Sequence, residues 1–165
     1  MQERPKIKIP LKSIDIVLEL VGWCALMAIW IFTFINYSKL PDIIPMHYNM
    51  AGEADGFGRK ANIFTLPLVA TALFIGMSVL VRYPHIFNYP IRITADNALR
   101  QYTNATRMMR YLNLTTTVIL GLIVFNTFRD TAGKANGLGV WFIVLVMGLT
   151  FIPMTWHLIK ALNIK

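Results

Sequence analysis

The chain has 165 residues, 56% of them hydrophobic, with a mean hydropathy of +0.54 and a formal net charge of +8. That is too apolar for an ordinary soluble domain. The positive charge is accounted for by membrane topology and by anionic inner-leaflet lipid, so nucleic-acid binding is set aside.

Four apolar windows follow one another along the chain: Ile14–Ile35, Asn62–Val81, Leu112–Phe128 and Leu138–Leu158. Each approaches the roughly 20 residues that cross a hydrocarbon core. They predict an all-α integral membrane protein, residues 1–165 forming a single four-helix membrane domain. The first window is too long for a signal-peptide core and lacks a small-x-small cleavage site, so it is read as a span. Cys24 lies within it, where no intrachain disulfide is available and packing is its expected role. The two Asn-x-Thr matches, at Asn104 and Asn113, fall on the inner side or in the membrane and are chance matches.

Between the first two spans lies a polar outer loop, Leu40–Lys60. Pro41 and Pro45 block regular helix, so Ile44 to Asn49 is expected to be extended. Gly52, Gly56 and Gly58 offer positions of positive φ for a sharp return toward Arg59 and Lys60. Asn49 and Asp55 are types that bond nearby backbone amides. A compact, hairpin-like lid is the expectation.

His47 is the single histidine of this loop. With Asp55, Glu53 or Asp42 it would offer imidazole and carboxylate to a divalent metal. A zinc site usually takes at least three protein ligands, so a structural bond from His47 to backbone or to Asp55 is preferred, with no cofactor expected. No serine, cysteine or lysine stands near His47 to form a nucleophile–base pair, and no catalytic residue is assigned.

After the second span, Tyr83-Pro84-His85 and Asn88-Tyr89-Pro90 read as turns. Thr94 is expected to cap a helix with Asp96 in its first turn. From there Ala98, Leu99, Tyr102, Ala105, Met109 and Leu112 recur along one face, with Asp96, Arg100, Asn104, Arg107 and Arg110 on the other. This predicts an amphipathic helix running unbroken into the third span, about 34 residues and 51 Å long, extended into the cytoplasm with a solvated basic face. Asn113, Thr115, Thr116, Thr117, Asn126 and Thr127 thin out the third span, which should therefore face protein. Pro67 and Pro153 are placed to kink the second and fourth helices. Glu19 and His157 lie inside spans near the cytoplasmic ends, and structural pairing is expected for Glu19 in preference to a proton relay. Trp141 and Trp156 bracket the fourth span as interfacial anchors, while Trp23 and Trp30 are buried or lipid-facing.

Basic residues set the orientation. Eleven fall in the N-terminal tail, the segment leading into the third span and the C-terminal end, against five in the other connections (Lys39, Arg59, Lys60, Arg129, Lys134). Positive-inside bias puts both termini in the cytoplasm and the Leu40–Lys60 loop outside.

The string Leu40-Pro41-x-x-Ile44-Pro45-x-His47-Tyr48-Asn49-x-x-Gly52-x-x-Asp55-Gly56, closing on Lys60, resembles the signature of domain of unknown function 1648. That family includes the N-terminal part of SdpI-type immunity proteins. Loosely, the resemblance extends over the flanking spans and the Asn97, Gln101, Tyr102 region, covering about two-thirds of the chain. It implies a multi-pass protein of the bacterial inner (cytoplasmic) membrane with this loop outside, and it carries Pro45, His47, Asn49, Gly52 and Asp55 over as the functional surface. SdpI-type proteins give immunity to a secreted peptide toxin and hold a repressor at the membrane. They continue into further membrane helices, whereas this sequence stops at Lys165, so the motif transfers and the immunity activity is left open.

The leading expectation is a non-enzymatic receptor or immunity-like protein. Its outer loop would engage an extracellular peptide or small ligand, and its basic inner helix would report to a cytoplasmic partner. A metal-dependent membrane enzyme using His47 and Asp55, with Asp130 as the further ligand, is the second class. A small transporter or helper subunit, in which four spans would need a homo-oligomer to enclose a path, is the third.

Overall fold

Helix α1, Ser13–Asn36, begins where the Asp15 carboxylate accepts the Lys12 amide at 3.0 Å. The computed structural model describes residues 4–134 and 137–164; Lys165, one of the basic residues counted above, lies outside them. A buried stripe at Asp15, Leu18, Gly22, Leu26, Ile29 and Thr33 follows helical spacing down α1 and packs on the bundle. Gly22 is needed there because an added Cβ would stand 2.6 Å from the Phe74 ring of the second helix.

Strands β1, Ile43–Tyr48, and β2, Ala54–Arg59, pair antiparallel and add a small two-stranded sheet to the expected all-α architecture. A 3₁₀ segment, Lys60–Phe64, leads into α2, Thr65–Leu80. Pro67 therefore sits in the first turn of α2. Its missing N–H has no intrahelical partner to lose there, and the expected kink has no cause. Helix α3, Ala98–Thr131, runs unbroken for 34 residues, and α4, Val140–Asn163, carries Pro153 inside it. Helices α1, α3 and α4, and α2 taken together with its 3₁₀ lead-in as Lys60–Leu80, are long and apolar enough to cross a membrane. The chain runs up and down through them, so the hairpin and the α3–α4 connection share one end of the bundle. The N-terminal arm (residues 4–12) and the α2–α3 connection share the other.

Packed on each of the other three helices, α3 is the centre of the bundle. Its start differs from expectation. Asn97, not Thr94, precedes the first helical residue, and Asp96 lies outside the helix. Thr94 caps the turn leading into that start: its Oγ1 accepts the Asn97 amide at 3.4 Å, its own amide donates to Asn97 Oδ1 at 3.0 Å, and its carbonyl accepts the Ala98 amide at 3.0 Å.

The expected solvated basic face of α3 is also overturned at two positions. Arg107 Nε donates to Asp15 at 2.9 Å and Arg110 Nε to Glu19 at 2.8 Å. The carboxylates stand one turn apart on α1 and the guanidinia one turn apart on α3, so parallel helices present two matched rungs. Gln101 Nε2 donates to the Ala161 backbone carbonyl and Asn104 Nδ2 to that of His157, while Asn104 Oδ1 meets His157 Nδ1 at 2.8 Å. Meanwhile Leu99, assigned to the apolar packing face, is 46% exposed. In a lipid setting polar side chains gain by turning inward to partners, which reverses the rule that places them on the outside of a water-soluble helix. Thr106, Thr117, Asn126 and Thr127 bond carbonyls within α3 itself, so these four side chains are satisfied by their own helix, whereas Asn113 donates to the Phe74 carbonyl and Ser78 of α2.

Only Phe142, His157 and Ala161 are buried on α4. Trp141 and Trp156 are exposed as anchors would be, and Trp23 is exposed on α1. Cys24, expected to pack, is exposed as well, because the packing stripe of α1 passes it by.

Candidate functional site

The hairpin is built around His47. Ile44 pairs with Gly58, Pro45 with Phe57, His47 with Gly56 and Tyr48 with Ala54. Counting along these pairs, Met46 is an extra residue on β1 just before His47, and Asp55 an extra residue on β2 just beyond Gly56. Such bulges re-aim side chains, and here they bring His47 Nδ1 to 2.5 Å from Asp55 Oδ1. Both side chains are open to the surroundings, 72% and 45% exposed.

Asn49 closes the turn as its residue type suggests. Its side-chain oxygen accepts the amides of Ala51 and Glu53, and its Nδ2 donates to the Glu53 carboxylate at 3.1 Å. Asp55 takes no such part, being committed to His47. Of the three glycines expected to adopt positive φ, only Gly52 does so, at +79°. Gly56 and Gly58 serve close approach instead. A Cβ on Gly56 would stand 3.0 Å from that of His47, and one on Gly58 would stand 2.8 Å from Met46 Cγ.

Three contacts fix the hairpin on the bundle. Beneath it Ile44, fully buried, joins Ile29, Leu40, Ile63 and Val124 in an apolar cluster. Tyr48 reaches Thr127 of α3, the two hydroxyls 3.2 Å apart, and burial pushes the Tyr48 phenol pKa up against the opposing effect of that bond. At the tip, the Leu138 amide donates to the Gly52 carbonyl at 2.7 Å, and a side chain on Gly52 would overlap the backbone of Gly139. Glycines at 137 and 139, both with positive φ, make that approach of two backbones feasible.

Between the hairpin and the start of α4 lies an open groove of about 560 Å³, lined on one side by His47, Asn49, Gly52 and Asp55. Leu138, Gly139, Phe142 and Ile143 form the facing wall. Four of the five motif residues singled out in the sequence thus meet at one place. Pro45 does not; it lines a separate cavity of about 120 Å³ beside Asn62 and Thr127. The α4 wall was missed from sequence. Its available signal was the Gly137-Leu138-Gly139 turn set directly before an apolar run.

Apart from Asp55, the carboxylates weighed as metal partners of His47 are engaged elsewhere. Asp42 pairs with Lys60 at 2.9 Å, Glu53 holds Asn49, and Asp130 accepts the Gly137 amide at 3.2 Å. Among the described residues no three histidine, cysteine or acidic side chains come together as a metal would require.

Residues 24–71, from mid-α1 through the hairpin into α2, match the family model described as Domain of unknown function (DUF1648). The match to domain of unknown function 1648 is confined to this stretch. It holds every motif residue of the groove and none of the α4 wall, and it is narrower than the two-thirds expected, leaving out Asn97, Gln101 and Tyr102. An "Uncharacterized protein" of the archaeon Archaeoglobus fulgidus is 27% identical over 95 residues, 53% of this chain and 52% of that one. The chain therefore spans about half the length of the curated relative it matches. No solved structure matches the chain.

Proposed function

We propose that this is a receptor or immunity-like protein of the cytoplasmic membrane whose hairpin end faces outward and captures a peptide or small ligand. The observation that carries the reading is the groove in which His47, Asn49, Gly52 and Asp55 of the hairpin face an apolar wall from α4. A few polar groups set against apolar surface is the usual make-up of a binding site. The domain-1648 resemblance to SdpI-type immunity proteins and the eleven-to-five distribution of basic residues support the same orientation.

Cysteine labelling of intact cells tests the orientation. A cysteine at Glu53 should react with a membrane-impermeant maleimide and one at Gln101 should be spared; the reverse pattern would sink the assignment. For binding, a sensitive host expressing the chain should survive a secreted membrane-active peptide that kills cells carrying Ile143→Trp, which fills the groove from its apolar side. Equal survival of the two across a panel of such peptides, with both proteins present in the membrane, would remove the groove from the function.

A further inference from the structure

At the end of the bundle opposite the hairpin, the N-terminal arm closes over a second cavity of about 430 Å³ between α1, α2 and α3. The arm is tied down by Arg4, which donates to the carbonyls of His85 and Phe87 and lies over the Tyr89 ring. Lys8, Glu19, Ser78, Arg82 and Arg110 supply the polar wall, and Leu11, Trp23 and Val81 the apolar one. Arg110 is 9% exposed and already paired with Glu19, so Lys8 and Arg82 leave the wall with an excess of positive charge.

Trp23 connects this cavity to the outside of the bundle. It lines the space yet is 45% exposed on the apolar outer surface of α1. The cavity therefore joins a surface suited to acyl chains with a cationic interior, and basic pockets between membrane helices are suited to anionic headgroups. Inward, it shares Glu19, Ser78, Val81 and Arg110 with a narrow space of about 10 Å³ that ends at Asn113. Asn113 is 6% exposed; its Nδ2 donates to the Phe74 carbonyl and to Ser78, both at 3.1 Å, while its Oδ1 has no partner. A buried acceptor left this way needs a donor, and a space of that size takes one hydroxyl or one water.

We propose that this cavity binds one anionic phospholipid, its phosphate held by Lys8, Arg82 and Arg110, a headgroup hydroxyl directed toward Asn113, and its chains leaving past Trp23. Bound here, the lipid would clasp the arm to the helices. The site is separate from the groove and does not depend on the function proposed for it.

Native mass spectrometry of the full chain in detergent tests this with four probes: phosphatidylglycerol, phosphatidylmethanol, phosphatidylcholine and inorganic phosphate. Phosphatidylglycerol should bind one per chain and more tightly than phosphatidylcholine. The exposed-site double variant Lys8→Gln/Arg82→Gln should weaken it by about tenfold while leaving phosphatidylcholine unchanged. Leu11→Trp, which fills the cavity from the arm, should also displace it. Phosphatidylmethanol, equal in charge but lacking the hydroxyl, should bind several-fold less well. Equal retention of phosphatidylglycerol and phosphatidylcholine, or unchanged binding in both variants, would overturn the site. Inorganic phosphate binding as tightly as the lipid would overturn the lipid as its occupant, and equal binding of the glycerol and methanol headgroups would overturn the role given to Asn113.

Discussion

The two ends of this bundle are held together by opposite chemistry. At the arm end, α1 and α3 meet through Asp15–Arg107 and Glu19–Arg110, and α3 meets α4 through amide side chains bonded to carbonyls. At the hairpin end the contacts are an apolar cluster around Ile44 and Val124, one pair of hydroxyls at Tyr48 and Thr127, and a backbone bond between Gly52 and Leu138. His47 and Asp55, the hydrogen-bonded pair of the site, stand open above that packed base. The same pairing chemistry thus has different worth at the two ends. A buried partner cannot be replaced by water, whereas an exposed one can.

Substitutions at the two ends put numbers on that contrast. The largest effect is expected from Arg107→Ala, which strands the Asp15 carboxylate, 3% exposed, without its guanidinium. Breaking one side of a buried pair costs about 3–5 kcal/mol. Thermal unfolding in detergent should show that loss, and Asp15→Leu/Arg107→Leu together should recover much of it. A double variant as unstable as the single one would mean that the pair matters through packing and not through charge.

Next comes Gly52→Ala at the hairpin tip. The left-handed conformation costs an L-residue about 1–2 kcal/mol, and the overlap with Gly139 adds to it. Because the strands keep their own pairing, the damage should be local. Amide exchange at Leu138, whose proton is held by Gly52, should accelerate while exchange within α1 and α3 stays slow. Acceleration throughout the bundle would show that the tip contact organises the fold and not only the groove.

The smallest stability effect is expected at His47. His47→Ala removes an exposed pair and should change stability by less than about 1 kcal/mol. Its consequence belongs to function: His47→Ala should weaken the response to ligand and loosen the hairpin toward proteases, while His47→Gln keeps hydrogen-bonding capacity and should retain much of the response. Complete loss in both variants, mimicked by chelator and accompanied by stoichiometric metal in the parent alone, would replace the structural reading of His47 with a metal site.

Much of the architecture was legible in the sequence because lipid imposes a simple code. A helix satisfies its own backbone, so four long apolar runs, including the 34-residue third helix, could be located from composition and spacing alone. The same code separated the polar loop, with its prolines, glycines and His47, as a structured hairpin. Spacing did not say which way a helix faces, however. Asn104, Arg107 and Arg110, ahead of the third span, read as part of a solvated face, and only the positions of Asp15, Glu19 and the α4 carbonyls decide that they turn inward. The site divides in the same manner. His47, Asn49, Gly52 and Asp55 stand within nine residues of one another and could be read as a unit, whereas Phe142 and Ile143 lie more than eighty residues away. Their place opposite the hairpin depends on two backbones meeting at Gly52 and Gly139, a long-range contact that no local pattern encodes.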